Sequence, residues 1–326
     1  MPKGRKLTPA PKAAKGAAAP PRRPLLSPGG RRVVAHLLAV AVVVAAAGGG
    51  LYYLKAHVRR TVAFPQDPPA VVLKNRPAWM GDFLYDQITR SVRPSRSHSA
   101  FDHQLLVDTV EQLRRNPWVS DVRTAKRVYG KRPGDTLEID CDFRAPIALV
   151  KWADHYWLVD VTGVKLPEQY AGADVPKVVV SPDGQTVIRI IEGVSTPPPD
   201  AGQRWRGDDL AAGIDLIKLL YDQPYAQDVI KVNVANFQGR NDPRESQLVL
   251  VTRHATEVRW GRPINATDFF IEVPTGRKLE YLQTVYARFG RLDAGRPWID
   301  IRFDNITYPS PDASAAPAPT AIANGR

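Results

Sequence analysis

The chain has 326 residues, enough for about two domains at the usual ~150 residues each. Its 45 Lys and Arg against 33 Asp and Glu give a net charge of +12, but residues 1–32 hold nine of the basic residues and no acidic one, which leaves 36 against 33 for the rest. The excess therefore belongs to a tail: a basic nucleic-acid-binding face over the folded part finds no support, and the single cysteine, Cys141, rules out an internal disulfide and a thiolate zinc cluster.

Residues 1–32 carry seven prolines and no aromatic residue, so they cannot bury enough surface to fold and read as a disordered basic tail. Val33–Leu54 follows, 22 residues without a formal charge, which as a helix covers a hydrocarbon core of ~30 Å. A buried core helix would need a polar face that this run lacks. A cleaved signal peptide is the stronger rival, because Ala45 and Ala47 form an A-x-A pattern, although the basic region before the run is long for a secretory signal. Nine positive charges before the span, against Lys55, Arg59 and Arg60 just after it, place the N-terminus in the cytoplasm and everything beyond residue 55 outside. Tyr52 and Tyr53 sit where an interfacial aromatic belt is expected. His36 reads as a neutral interfacial residue, since no carboxylate lies in the span.

Residues 55–68 read as a linker, with Pro65 and Pro68 discouraging helix. A short strand over Ala70–Leu73 comes next, then a helix carrying Trp79, Met80, Phe83, Leu84, Ile88 and Val92 at helical spacing. A second helix from Phe101 or Asp102 places Leu105, Leu106, Val110 and Leu113 on one face and stops at Asn116-Pro117. Two strands follow, Trp118–Val128 and Thr136–Phe143, joined by a turn over Gly130–Asp135. In the second, Leu137, Ile139, Cys141 and Phe143 alternate with Glu138, Asp140 and Asp142, so Cys141 points inward as an inert thiol. The order β-α-α-β-β predicts a three-stranded sheet with two helices on one face.

From Ala148 strands dominate: Ala148–Trp152, Tyr156–Val161, Lys177–Val180, Val187–Ile191, Ile230–Phe237, Leu248–Thr252, Thr256–Trp260 and a closing Trp298–Phe303. Two helices interrupt them, one burying Leu210, Ile214, Ile217 and Tyr221, the other burying Leu279, Leu282, Tyr286 and Phe289 and closed by Gly290. The expected fold class is α+β, and the end from residue 309 reads as disordered.

The order of several short segments resembles the FtsQ/DivIB family of bacterial cell-division proteins. Those segments are Asn116-Pro117-Trp118-Val119, the Arg123 and Arg127 strand, Leu137-Glu138-Ile139, Arg144-Ala145-Pro146-Ile147-Ala148, and Tyr156-Trp157-Leu158-Val159-Asp160 with Gly163. Pro199, Gly202 and Trp205, then Glu257-Val258-Arg259-Trp260-Gly261 and Trp298-Ile299-Asp300-Ile301-Arg302-Phe303, complete the match. The resemblance implies a tail at 1–32, a span at 33–54, a linker at 55–68, a POTRA domain at 69–146, a β domain at 147–308 and a tail at 309–326. It implies a non-enzymatic, bitopic inner-membrane scaffold at the division septum, without a cofactor, small-molecule substrate or nucleic acid. Its partners would be divisome proteins of the FtsB/FtsL kind. They would be captured by the closing strand and the residues after it, Arg302, Phe303, Asp304 and Asn305, with Phe303 as apolar anchor and Arg302 as a charge for an acidic segment. The chain departs from the family in its proline-rich link, a weak first POTRA strand and an insertion at Arg262–Pro274.

Two other classes compete. A POTRA-bearing assembly or secretion chaperone would carry such units in tandem and attached to a barrel, whereas one unit is seen here. A cell-wall glycosidase could use Asp300, Asp304 and Glu257 as a carboxylate set, but Asp300 beside Arg302 suggests a structural cross-strand ion pair. There is no G-x-S-x-G elbow, H-E-x-x-H, P-loop or dinucleotide fingerprint. His98 and His103 flank a helix start, where capping or solvation is the simpler role, and the sequons at Asn265 and Asn305 read as surface turns. Whether Trp298–Phe303 is an edge strand or an internal one stays open at this point.

Overall fold

A computed structural model describes residues 28–61, 68–95, 102–128, 136–180, 188–267, 272–292 and 294–309. The chain divides into two compact units, Met1–Ala63 and Phe64–Arg326. Among its described residues the first contains one helix, α1 (Pro28–Thr61). Within it Arg32–Val58 is long and apolar enough to cross a membrane, and none of its most apolar window is buried. The His36 ring bonds the Arg32 carbonyl of its own helix at 2.7 Å. The helix overruns both expected ends. It starts inside the predicted tail at Pro28, because proline is tolerated at a first helical position where no N–H is needed. It consumes residues 55–61 of the predicted linker, because the first proline that could stop it is Pro65.

The second unit opens with the expected β-α-α-β-β order: β1 (Ala70–Lys74), α2 (Asp82–Ser91), α3 (Gln104–Arg115), β2 (Val119–Val128) and β3 (Thr136–Phe143). The three strands form a sheet in the order β1-β3-β2, parallel at β1-β3 and antiparallel at β3-β2. Leu137, Ile139 and Cys141 are fully buried beneath the helices, against Ile88, Leu105 and Leu113. Phe143 is only half-buried. Burial, and then the Asp140 and Asp142 charges, push the Cys141 thiol up to about 11, so it stays protonated and inert. Trp79 and Met80 fall in the turn before α2, while Phe101 and the Gly130–Asp135 turn lie outside the described residues.

An eight-stranded mixed sheet follows, in the order β11-β10-β9-β8-β7-β4-β5-β6. Its strands are β4 (Pro146–Trp152), β5 (His155–Asp160), β6 (Lys165–Ala171), β7 (Arg189–Glu192), β8 (Val229–Asn233), β9 (Leu248–Thr252), β10 (Glu257–Gly261) and β11 (Trp298–Asp300). The pairs β4-β7, β7-β8 and β10-β11 are parallel and the others antiparallel. One face packs against α5 (Asp208–Leu220) and α6 (Thr275–Phe289), with Val150, Ile191, Leu216, Leu250, Trp260 and Leu282 at its centre. Gly290 ends α6 as expected, in the left-handed region at φ 68°, its N–H donating to the Tyr286 carbonyl at 2.7 Å.

Four expectations fail here for identifiable reasons. Lys177–Val180 is no strand: α4 (Val175–Val179) occupies it, with Val175 and Val179 buried four residues apart and Pro176 in its first turn. Strand β6 went unpredicted because Pro167 interrupts it, yet β6 ends the sheet, where a missing N–H leaves no ladder partner unmet. Tyr221 and Phe289, placed in the core by spacing, are 64% and 42% exposed because each sits at the end of its helix. The strand proposed for Ile230–Phe237 is shorter, with Phe237 in a 3₁₀ turn.

Several segments behind the family resemblance meet where the two sheets join. Arg144 donates to Asp160 at 2.8 Å, and the other Asp160 oxygen accepts from the Thr162 and Val164 backbones at 2.8 and 2.9 Å. The Trp205 N–H donates to the Gly163 carbonyl at 2.8 Å, and a Cβ added at Gly202 would lie 3.4 Å from Pro117. Apolar residues carry the core through this junction, from Leu137 and Ile139 to Leu149, Leu158 and Ile190.

A second hub sits at the loops beside α5. Asp209 is buried and accepts from the Ser195 and Leu210 backbones at 2.8 Å and from Arg240 at 3.1 Å. Burial alone would raise its pKa, but the hydrogen bonds from Ser195, Leu210 and Arg240 outweigh that and hold it below the ordinary 3.8. A depressed carboxyl contributes stability that is fully present above the unfolded value and disappears as pH falls through the folded one. Asp209→Asn is therefore expected to lower the urea midpoint at neutral pH and to flatten its fall in acid, as urea titrations at a series of pH values would show. An acid limb unchanged in slope would remove Asp209 from the pH dependence.

Candidate partner-binding edge

The closing strand is short and lies at the end of the eight-stranded sheet. It pairs in parallel with β10 over Glu257–Arg259, the Glu257 N–H donating to the Pro297 carbonyl at 3.1 Å and the Ile301 N–H to the Arg259 carbonyl at 3.3 Å. The strand ends at Asp300 and its last bond to β10 is that of the Ile301 N–H, so the predicted strand Trp298–Phe303 is corrected: residues 302–305 bend away and the chain returns along the outer side of β11. There Asp300 and Thr307 exchange both backbone hydrogen bonds, at 2.9 and 3.0 Å. Because an exchanged pair uses both polar groups of Thr307 inward, the N–H and C=O groups of Ile306 and Tyr308 point away from β11.

The four residues expected to bind a partner divide. Arg302 is 8% exposed, and its guanidinium lies along the Asp300 carboxylate, Nε to Oδ1 at 3.0 Å and Nη2 to Oδ2 at 2.7 Å. Its Nη1 donates to the Arg244 carbonyl at 3.0 Å. The expected ion pair exists, but between positions two apart in one segment rather than across strands, and Arg302 is no rim charge. Burial works against its charge, while hydrogen bonding to Asp300 and the field of nearby carboxylates raise its pKa, so it stays cationic. Phe303 faces outward, 43% exposed, with the Arg302 guanidinium 5.1 Å from its ring centre. Asp304 and Asn305 are exposed, and the Asp304 carbonyl accepts from the Tyr281 hydroxyl.

The insertion at Arg262–Pro274 buttresses this edge. The Val273 N–H donates to the Arg302 carbonyl at 2.8 Å, and Glu272 accepts from Lys278 at 2.7 Å and from the Arg262 backbone at 3.0 Å. Lys278 is 4% exposed and lies 5.4 Å from the ring centre of buried Trp260; burial pushes its pKa down and Glu272 pulls it back. Beside the edge, α6 and residues 304–306 enclose an open groove of about 980 Å³ between Arg277, Thr284, Arg288 and Ile306. Tyr281, Ile306 and Thr307 shape this edge and escaped sequence reading. The Asp304-Asn305 turn before the β-favouring Ile306-Thr307-Tyr308 was the available signal for a returning strand.

Among the described residues no group of three or more His, Cys, Asp or Glu stands close enough to hold a metal. Of the three carboxylates open to a glycosidase reading, Asp300 is engaged by Arg302, while Glu257 and Asp304 are exposed. No family model matches the chain, and no curated protein matches it.

Proposed function

We propose that this chain is a single-span, non-enzymatic scaffold of the bacterial division machinery, cytoplasmic at its N-terminus, whose exported unit recruits partners by strand addition at the β11 edge. The observation that carries the reading is the sheet order, which leaves Ile306 and Tyr308 as outward-directed backbone beside two exposed aromatic rings, Phe303 and Tyr308. The three-stranded β-α-α-β-β half has the element order of a POTRA domain, and Arg32–Val58 is suited to anchor it. A coiled-coil partner of the FtsB/FtsL kind would add its strand outside residues 306–308 and lay the adjoining segment in the groove along α6.

The cellular test is a fluorescent fusion: recruitment to midcell, with filamentation on depletion, supports the scaffold, whereas an outer-membrane assembly defect with normal septation would replace it with the chaperone reading. At the residue level, Phe303→Ala is expected to weaken partner binding ~30-fold, the loss of about 2 kcal/mol typical of a truncated aromatic anchor. Since Phe303 is half out of the fold, the melting temperature should hardly move; a lowered melting temperature with intact affinity would make the residue structural.

A further inference from the structure

Two aromatic side chains stand on the surface of the three-stranded half, Phe83 at 84% exposure and Trp79 at 41%. The backbone that carries them is fixed. Trp79 lies 6.1 Å from buried Trp118, centre to centre. Arg76 pins the turn, donating from Nε and Nη2 to the Met80 carbonyl at 3.0 and 2.6 Å and pairing with Asp82 at 2.7 Å. Helix α2 cannot roll to bury Phe83, because Ile88 is in the core and the Tyr85 hydroxyl is bonded to both backbone groups of Leu73 at 3.2 and 3.3 Å. Two exposed aromatic rings on a fixed turn and helix start form a surface shaped for an apolar or interfacial environment.

The sequence indicates which environment. Only six residues, 62–67, separate the end of α1 from Pro68 in the chain, so the folded unit is tethered to the apolar helix by a short link. The charges around the aromatic pair are largely internally matched, Arg76 with Asp82 at 2.7 Å and Arg90 with Asp86 at 3.7 Å. That disfavours a strongly charged protein partner and suits the lipid headgroup layer, where Trp and Phe settle without help from a polybasic patch.

We propose that Trp79 and Phe83 insert into the headgroup layer of the bilayer that α1 crosses and so fix the three-stranded half against the membrane surface. The proposal rests on the single-span reading. Its test uses the full chain in nanodiscs of phosphatidylcholine alone, with one spin label at a time on Val42→Cys, Gln87→Cys or Asp222→Cys. Gln87 is exposed one helical turn beyond Phe83, and Cys141 is fully buried, so it takes no label. Collision with oxygen relative to a water-soluble nickel complex is expected to be several-fold higher at position 87 than at exposed position 222. Phe83→Ser should bring position 87 down to the value at 222, and Phe83→Leu should retain most of the difference. Lipid-like collisions at 42 with water-like collisions at 87 would overturn the docking and leave the span standing. Water-like collisions at 42 would overturn both.

Discussion

Arg302→Met is expected to destabilise the exported unit by about 3–5 kcal/mol, a loss of at least ~100-fold in the folding equilibrium, because it strands a buried carboxylate. Asp300 is 5% exposed, and in the variant its two oxygens lose all three guanidinium hydrogen bonds. Removing both charges should cost much less, since a buried ion pair replaced by neutral groups of similar volume is often close to neutral in stability. Asp300→Asn combined with Arg302→Met is therefore expected to recover most of the loss, its side-chain carbonyl still able to accept from the residue 302 N–H as Asp300 does at 3.1 Å. All seven tryptophans lie at or beyond residue 79, so their fluorescence during urea unfolding of the full chain in detergent reports this unit alone. Equal midpoints for Arg302→Met and the parent chain would show that the pair contributes nothing. Partner binding should fail in Arg302→Met and return in the double variant, following the edge rather than the charge.

That expectation reverses the role assigned to Arg302 from sequence, and the reason is general. Alternation along Trp298–Phe303 correctly places Ile299 and Ile301 inside, but assumes that the opposite face meets water. In fact Asp300 and Arg302 are buried on that face, with Arg302 bonded to Asp300 and to the Arg244 carbonyl, and nothing in a period of two announces partners supplied from other parts of the chain. Where one strand face meets solvent, as in Thr136–Phe143, the same pattern is reliable and fixes Leu137, Ile139 and Cys141 as core. Helix faces were legible along the packed surface, at Leu210, Ile214, Ile217 and Leu282, and misread at the C-terminal ends, where Tyr221 and Phe289 lie past it. Short apolar runs stayed ambiguous, as with Val175–Val179, whose four-residue spacing fits a helix turn as well as a strand. Of the candidate edge, the first half of the closing strand, Trp298–Asp300, was legible, whereas the bend after it and the edge position depend on a sheet order that no local pattern encodes.

Gly193→Ala is expected to cost about 2–5 kcal/mol through the backbone. The residue follows β7 at φ +87°, a conformation that side-chain-bearing residues adopt at a cost of ~1–2 kcal/mol. An added Cβ would lie 2.5 Å from the Ala235 nitrogen and 2.6 Å from its Cα, atoms of a second loop that cannot move independently. The Ala235 N–H is bonded to the Asn233 side chain at 2.8 Å and its carbonyl accepts from Arg240 at 2.7 Å. Arg240 in turn donates to the Gly193 carbonyl at 2.7 Å and to Asp209 at 3.1 Å, so relief of the clash must displace the hub that orients the start of α5. Overpacking of this kind adds ~1–3 kcal/mol to the conformational cost. The Gly193→Ala and Asp209→Asn effects should accordingly fall short of additivity, since the first substitution already loosens the contacts the second would remove. Urea midpoints of the two single variants and the double variant measure this directly. Full additivity would mean that Gly193 acts through local strain alone and that the hub survives the substitution.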